Sequence, residues 1–209
     1  MQGIFRSFLE APLSAKLGLV TITAYLVVAI FAPIIAPYSE TEILGGAYEL
    51  WSEKYPLGTD NLGRDMLSRL IFGARNTIGI ALAAVVIAFA IGGVTGMLVA
   101  ILGGWYDTII SRIVDALMAI PGLVFALLIL TILGTSIPTL VLVIAVLDST
   151  RVYRITRASA MNVAVMDFVE VAHLRGEGLW WVIRKEILPN IMAPLLAEFG
   201  LRFCFVFLF

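Results

Sequence analysis

Few side chains in this sequence could carry covalent or metal chemistry. His173 is the only histidine and Cys204 the only cysteine. One histidine cannot build a multi-histidine metal site, and one cysteine excludes a disulfide framework and any multi-cysteine zinc site. No metal and no cofactor is expected, and His173 reads as a solvated or partner-facing residue. A buried catalytic centre would need a Ser-Lys pair, two aspartates or a histidine cluster. The apolar stretches contain no lysine, and their acids are isolated. Gly58-x4-Gly63-Arg64-Asp65 imitates a phosphate-binding loop. The functional motif needs Lys and then Ser or Thr, between a strand and a helix. Arg64 and Asp65 occupy those places here, so nucleotide binding is not expected.

The remaining chemistry is ionic. Glu198 and Arg202 stand four apart inside the last apolar stretch, and Asp148 and Arg151 three apart at the edge of another. A charge inside a bilayer is costly, so such groups pair with one another or line a cavity. Pairing is the first expectation for each couple, and a place for Glu198 on a solute path is the alternative. Arg151, Arg154 and Arg157 recur every three residues. They would fall along one side of a helix continuing into water, as a basic, lipid-anchoring end.

The elements that must hold these residues are apolar helices. The chain has 209 residues, 61% of them hydrophobic and 14% charged, with a mean hydropathy of +1.02. A soluble domain is about 45–50% apolar and about 25% charged. The fold class is therefore an all-α polytopic membrane protein. The net charge of −1 carries no signature of nucleic-acid binding. A membrane helix needs about 20 apolar residues, and Leu17 to Ala36 supplies 20 without a charge. This stretch is too long for a signal-peptide core and reads as a retained helix, with Pro33 and Pro37 at its outer end. Thr77 to Leu102 forms the second span. Its Gly92 and Gly96 make a small-xxx-small pair that lets helices approach closely.

Ala116 to Leu147 holds 32 uncharged residues, about 48 Å of helix and too long for one crossing. Gly134-Thr-Ser-Ile-Pro138 offers a turn near its middle, so helices near 113–133 and 137–153 are expected. Ile187 to Phe209 is the fifth span, and the chain is expected to stop inside it.

Lysines and arginines favour an inner N-terminus. Arg6, Lys16, Arg112, Arg151, Arg154, Arg157, Arg175, Arg184 and Lys185 would lie inside, and Lys54, Arg64, Arg69 and Arg75 outside. A topology that fuses the third and fourth helices is not excluded by charge. The length of that stretch and its Gly-Pro break oppose it. The resulting organisation is an inner N-terminus at 1–16, helix 1 at 17–36, an outer segment at 37–76 and a helical core at 77–209. Within the outer segment, Leu62, Met66 and Leu70 suggest an amphipathic interfacial helix, with Asp60 or Asn61 as its N-cap. On the inner side, two short amphipathic helices are expected to flank Gly176 and Gly178. Phe168, Val171 and Ala172 would be exposed on the first, and Leu179, Val182 and Ile183 carried on the second. Such a hairpin suits a partner's groove or, equally, the membrane interface.

Two runs are more specific. Glu170-Val-Ala172-x3-Gly176-x10-Ile187-Leu188-Pro189 resembles the EAA loop of ABC importer permeases. Pro56-Leu-Gly-Thr-Asp-x-Leu-Gly-Arg-Asp-x-Leu-Ser-Arg-Leu-x-x-Gly-Ala-Arg75 resembles the segment after helix 1 in the C-type subunit of dipeptide, oligopeptide and nickel permeases. The resemblance covers nearly the whole chain. It departs at Val171, where the family has its first alanine, and at Glu198 and Arg202, which put charges into helix 5. It implies a type I importer permease fold with five helices of an expected six, in the bacterial inner membrane. It implies a homologous second permease subunit, two cytoplasmic ATPases and a periplasmic solute-binding protein as partners. A coupling loop over 154–186 would dock an ATPase through Glu170, Ala172, Gly176, Gly178, Ile187, Leu188 and Pro189. Such a subunit is not an enzyme, since its partners hydrolyse the ATP. The transported solute is a peptide or a similar small molecule, nickel being an alternative. An intramembrane enzyme and a nonfunctional fragment are the remaining alternatives.

Overall fold

The computed structural model describes residues 12–207. Arg6, counted above on the inner side, and the last residues of the fifth span, Leu208 and Phe209, lie outside the described residues. The described residues are mostly helical, with a long loop over 36–65 and no strand; Thr59 and Asp65 form one isolated bridge. Two compact units divide the chain, Met1–Gly79 and Ile80–Phe209.

In the first unit, α1 (Leu13–Ile30) is apolar all round and buries only Ala29. Large apolar side chains stay exposed on every side, among them Leu17, Val20, Ile22 and Tyr25, as expected of a helix solvated by lipid. The helix begins earlier and ends earlier than the expected 17–36. Pro33 has no N–H to offer the Ala29 carbonyl and would press its ring on it. It opens a separate short helix instead, α2 (Ala32–Ile35), at a position where proline is well tolerated.

The expected interfacial helix near Asp60 is not present as such. Residues 44–49 and 59–63 run side by side, with Leu44 N–H donating to Gly63 O at 2.9 Å and Thr59 N–H to Glu49 O at 3.1 Å. The two glycines of the imitation phosphate loop serve this crossing. A Cβ on Gly58 would lie 2.4 Å from the Glu49 carbonyl oxygen, and one on Gly63 2.1 Å from that of Gly45. The helix itself starts at Met66 and runs unbroken as α3 (Met66–Leu102). Its cap is Asp65, whose Oδ2 accepts from the Ser68 N–H at 2.8 Å and the Ser68 hydroxyl at 2.6 Å. The sequence could not separate Asp65 from Asp60, since both precede the apolar run.

In the second unit, α4 (Gly104–Ala119) and α5 (Gly122–Leu133) replace the single helix expected near 113–133. They meet at 88°. Pro121 forces the break, because the residue before a proline is driven from helical to extended backbone, and Ile120 has ψ 127°. The predicted turn at Gly134–Pro138 forms. The Ser136 hydroxyl accepts from Thr139 N–H, and Pro138 sits in the first turn of α6 (Ile137–Ala164). α6 continues past the expected residue 153.

After α6 come α7 (Asp167–Leu174), α8 (Leu179–Val182), a π turn over Ile183–Ile187 and α9 (Leu188–Val206). Among the described residues three helical stretches are long and apolar enough to cross a membrane, Leu13–Ile30, Met66–Leu102 and Leu179–Val206, and the bent pair α4–α5 makes a fourth if it counts as one span. The core of the second unit has a large cluster around Ala160, Val169, Ala172, Val182, Ile187 and Ile191. A smaller one joins Ala84, Val85, Ile144 and Val206.

Candidate functional site

The first feature is the hairpin between α6 and α9. Asp167 and Glu170 stand in the first turn of α7, where negative charge meets the positive end of the helix dipole. α7 ends in a full Schellman turn. Gly176 N–H donates to His173 O at 2.9 Å and Glu177 N–H to Ala172 O at 3.2 Å. Gly176 takes φ +80° there, a backbone that a side chain would strain. Gly178 has an ordinary φ of −74° and caps α8. The Arg175 guanidinium lies 5.9 Å from the Trp181 ring centroid, a cation–π contact across the turn.

The π turn that follows has a local cause. Pro189 cannot donate to the Lys185 carbonyl, and the ladder widens by one residue, with Leu188 N–H reaching Ile183 O. A π turn brings residues five apart nearer to one face. Val182 and Ile187 are both fully buried.

The hairpin thus has an inside and an outside, and the sequence assigned one residue wrongly. Ala172 is buried with Val169, whereas Phe168, Val171, Leu174 and Trp180 are exposed. In this two-turn helix the core takes positions three apart, 169 and 172, and Ala172 falls under the following helix. Val182 and Ile183, expected on the second helix, belong to the core as well. Glu170, His173, Gly176, Gly178 and Pro189 lie on the exposed side, Leu188 is half-buried and Ile187 is buried.

The second feature is an ionic cluster between α6 and α9. Arg202 Nε donates to Glu198 Oε1 at 2.6 Å, and Arg151 stands 3.5 Å from Asp148. Both couples form as their spacing suggested. A link the spacing could not show joins them, since Arg202 also lies 3.7 Å from Asp148. Asp148 and Glu198 are only 5% and 6% exposed.

The basic stripe on α6 is paired with acids, while the Arg151 and Arg154 side chains stay about half exposed. Each arginine meets an acid: Arg151 meets Asp148, Arg154 meets Asp115 at 3.3 Å, and Arg157 grips Asp107 through two hydrogen bonds. The Ser111 hydroxyl donates to Asp107 at 3.1 Å and lies 2.9 Å from the Tyr153 hydroxyl. Asp107 and Asp115 are not among the residues singled out above from the sequence. The available signal was their spacing of eight, two helical turns, which puts them on one side of α4 opposite a basic stripe. Among the described residues no group of three or more His, Cys, Asp or Glu could hold a metal ion.

Residues 92–209 match the family of binding-protein-dependent transport system inner membrane components. That stretch contains both features. Over 191 residues the chain is 37% identical to the dipeptide transport system permease protein DppC of Haemophilus influenzae, covering 88% of this chain and 65% of that protein. It is 36% identical over 193 residues to the di/tripeptide transport system permease protein DppC of Pseudomonas aeruginosa, covering 89% and 64%. A glutathione transport system permease protein, GsiD of Pectobacterium atrosepticum, is 27% identical over 95% of this chain and 66% of its own length. The chain therefore spans about two thirds of the length of these relatives.

Proposed function

The chain belongs to the family of binding-protein-dependent transport system inner membrane components, and from that premise we propose that it is the permease subunit of an ABC importer for peptides or similar small solutes. It forms part of the solute path together with a homologous permease subunit. Two cytoplasmic ATPases drive it, and a solute-binding protein delivers the cargo. α6 crosses the bilayer beside α9, which makes five spans with α1, α3 and the bent pair α4–α5. The names of its relatives, which move dipeptides, tripeptides or glutathione, support a peptide-like cargo.

The observation that carries this reading is the α7–α8 hairpin. Its inner face is sealed to the core by Val169, Ala172, Val182 and Ile187, while Phe168, Val171, Leu174 and Trp180 stay exposed beside it. A rigid lever with an uncovered apolar rim, held between two long helices, suits docking into a partner's groove. ATP-driven movement of that partner would then pass to α6 and α9 through packed side chains rather than through a flexible loop.

Two substitutions in the complete transporter test the docking. Gly176→Pro is incompatible with φ +80° and should unmake the turn. Leu174→Asp leaves the turn intact, because Leu174 is 80% exposed, but puts a charge on the apolar rim. Both should lose co-purification of the ATPase subunits. Retention by both variants would refute the lever.

A further inference from the structure

The ionic cluster between α6 and α9 is unevenly satisfied. Glu198 and Arg202 form a short, well-made pair within α9 at 2.6 Å, and the Arg202 guanidinium also lies 5.2 Å from the Phe205 ring centroid. Its side chain is 12% exposed. This half of the cluster is closed. Asp148 and Arg151 are different. The contacts of Asp148, at 3.5 Å to Arg151 and 3.7 Å to Arg202, are longer than the roughly 2.7–3.2 Å of a good hydrogen bond. The Arg151 side chain keeps 52% of its surface exposed, leaving most of its five donors unused.

The depth fits a role in passage. Asp148 lies eleven residues into α6 and Glu198 ten residues into α9, about 15 Å along each helix. On the reading above, in which both helices cross the bilayer, that depth falls within a hydrocarbon layer about 30 Å thick. A buried carboxylate with only loose partners, beside an arginine with spare donors, costs stability there. The cost makes sense if a solute completes the bonding.

Resting on the transport reading above, we infer that Asp148 and Arg151 form a charge-reading subsite for zwitterionic solutes on the path. The solute's ammonium meets Asp148 and its carboxylate meets Arg151, so that one loose ion pair is exchanged for two good contacts with no change in net charge. Glu198 and Arg202 are positioning residues, which hold Asp148 against α9. The planar guanidinium of Arg151 matches a carboxylate two bonds at a time.

The experiment compares initial uptake of alanyl-alanine and of its N-acetylated, C-amidated form by the complete transporter. A hydrogen bond to a charged group typically carries enough energy for about a tenfold effect. Asp148→Asn and Arg151→Gln should each lower uptake of the zwitterion about tenfold and leave the blocked peptide unaffected, collapsing the preference. Equal loss of both probes would mark the pair as packing only and overturn the subsite. Unchanged uptake of the zwitterion would overturn it as well. If the unsubstituted transporter takes up neither probe, the peptide-transport reading falls and the subsite falls with it.

Discussion

Asp60 shows how one carboxylate can organise a loop. Burial works against its charge, but the backbone N–H groups of Arg64 and Leu62 and the Arg64 side chain outweigh that and lower its pKa from 3.8 to about 2. Oδ1 accepts from Leu62 N–H at 2.8 Å and Arg64 N–H at 3.0 Å, while Oδ2 takes Arg64 Nε at 2.8 Å and Arg69. The sequence suggested a helix cap at this position, and the residue instead ties a loop to two arginines. The sign of the pH effect follows from linkage. A carboxyl held below its unfolded value contributes stability that is full above that value and is lost as pH falls through the folded one. Stability should therefore decline as pH drops from about 4 towards about 2. Asp60→Asn, which removes the titrating group, should start less stable at neutral pH and decline less across that window. Thermal unfolding of the purified protein in detergent at several acidic pH values measures both slopes. Parallel slopes would refute the assignment to Asp60.

At the scale of elements, the contact between α3 and α6 depends on two missing side chains. A Cβ on Gly92 would sit 2.3 Å from the Ser149 carbonyl oxygen, and one on Gly96 would sit 3.0 Å from both Thr156 Cβ and the Tyr153 carbonyl oxygen. Neighbouring Gly93 meets nothing within 4 Å. Overpacking a close contact typically costs about 1–3 kcal/mol. Gly92→Ala should lose about that much, or more, since backbone has to move. Gly93→Ala should be neutral or slightly stabilising, because alanine is the better helix former. Melting of the two variants side by side decides, and equal melting temperatures would count against the packing. This contact was legible in the sequence because its signal is local: two glycines four apart on one face. The apolar runs of α1, α3 and α9, the Gly134–Pro138 turn and the hairpin around Gly176 were legible for the same reason, whereas α6 is not among the helices long and apolar enough to cross a membrane by length and composition alone. The bend at Pro121, the start of α3 at Met66 and the burial of Ala172 were not. Each depends on which of two competing local signals the tertiary packing selects. The pairing of Asp107 and Asp115 was harder to read because their partners lie 50 and 39 residues away, and a spacing of eight reports a shared side of α4 but not the partner.

At the scale of the whole molecule, α6 sets the span between two exposed turns. Its 28 residues measure about 42 Å, more than the roughly 30 Å of hydrocarbon. The Gly134–Ser136 turn precedes its first residue, and the α7–α8 hairpin follows its last within three residues. If α6 crosses the bilayer, those two turns face opposite compartments. On the proposed reading the hairpin faces inward, with Arg154, Arg157, Arg175, Arg184 and Lys185 all at that end. The lever and the subsite both depend on this geometry, since an ATPase can reach only one side and a solute must pass between them. The prediction is read by thiol labelling. With the exposed Cys204 replaced by serine, a cysteine at Ser136 should react with a membrane-impermeant maleimide applied to intact spheroplasts. A cysteine at Leu174 should react only after the membrane is opened. Both sites are exposed, so burial cannot explain a difference between them. Labelling of the Leu174 position from outside would put the lever beyond the reach of any cytoplasmic ATPase and end the account of a gate driven from within.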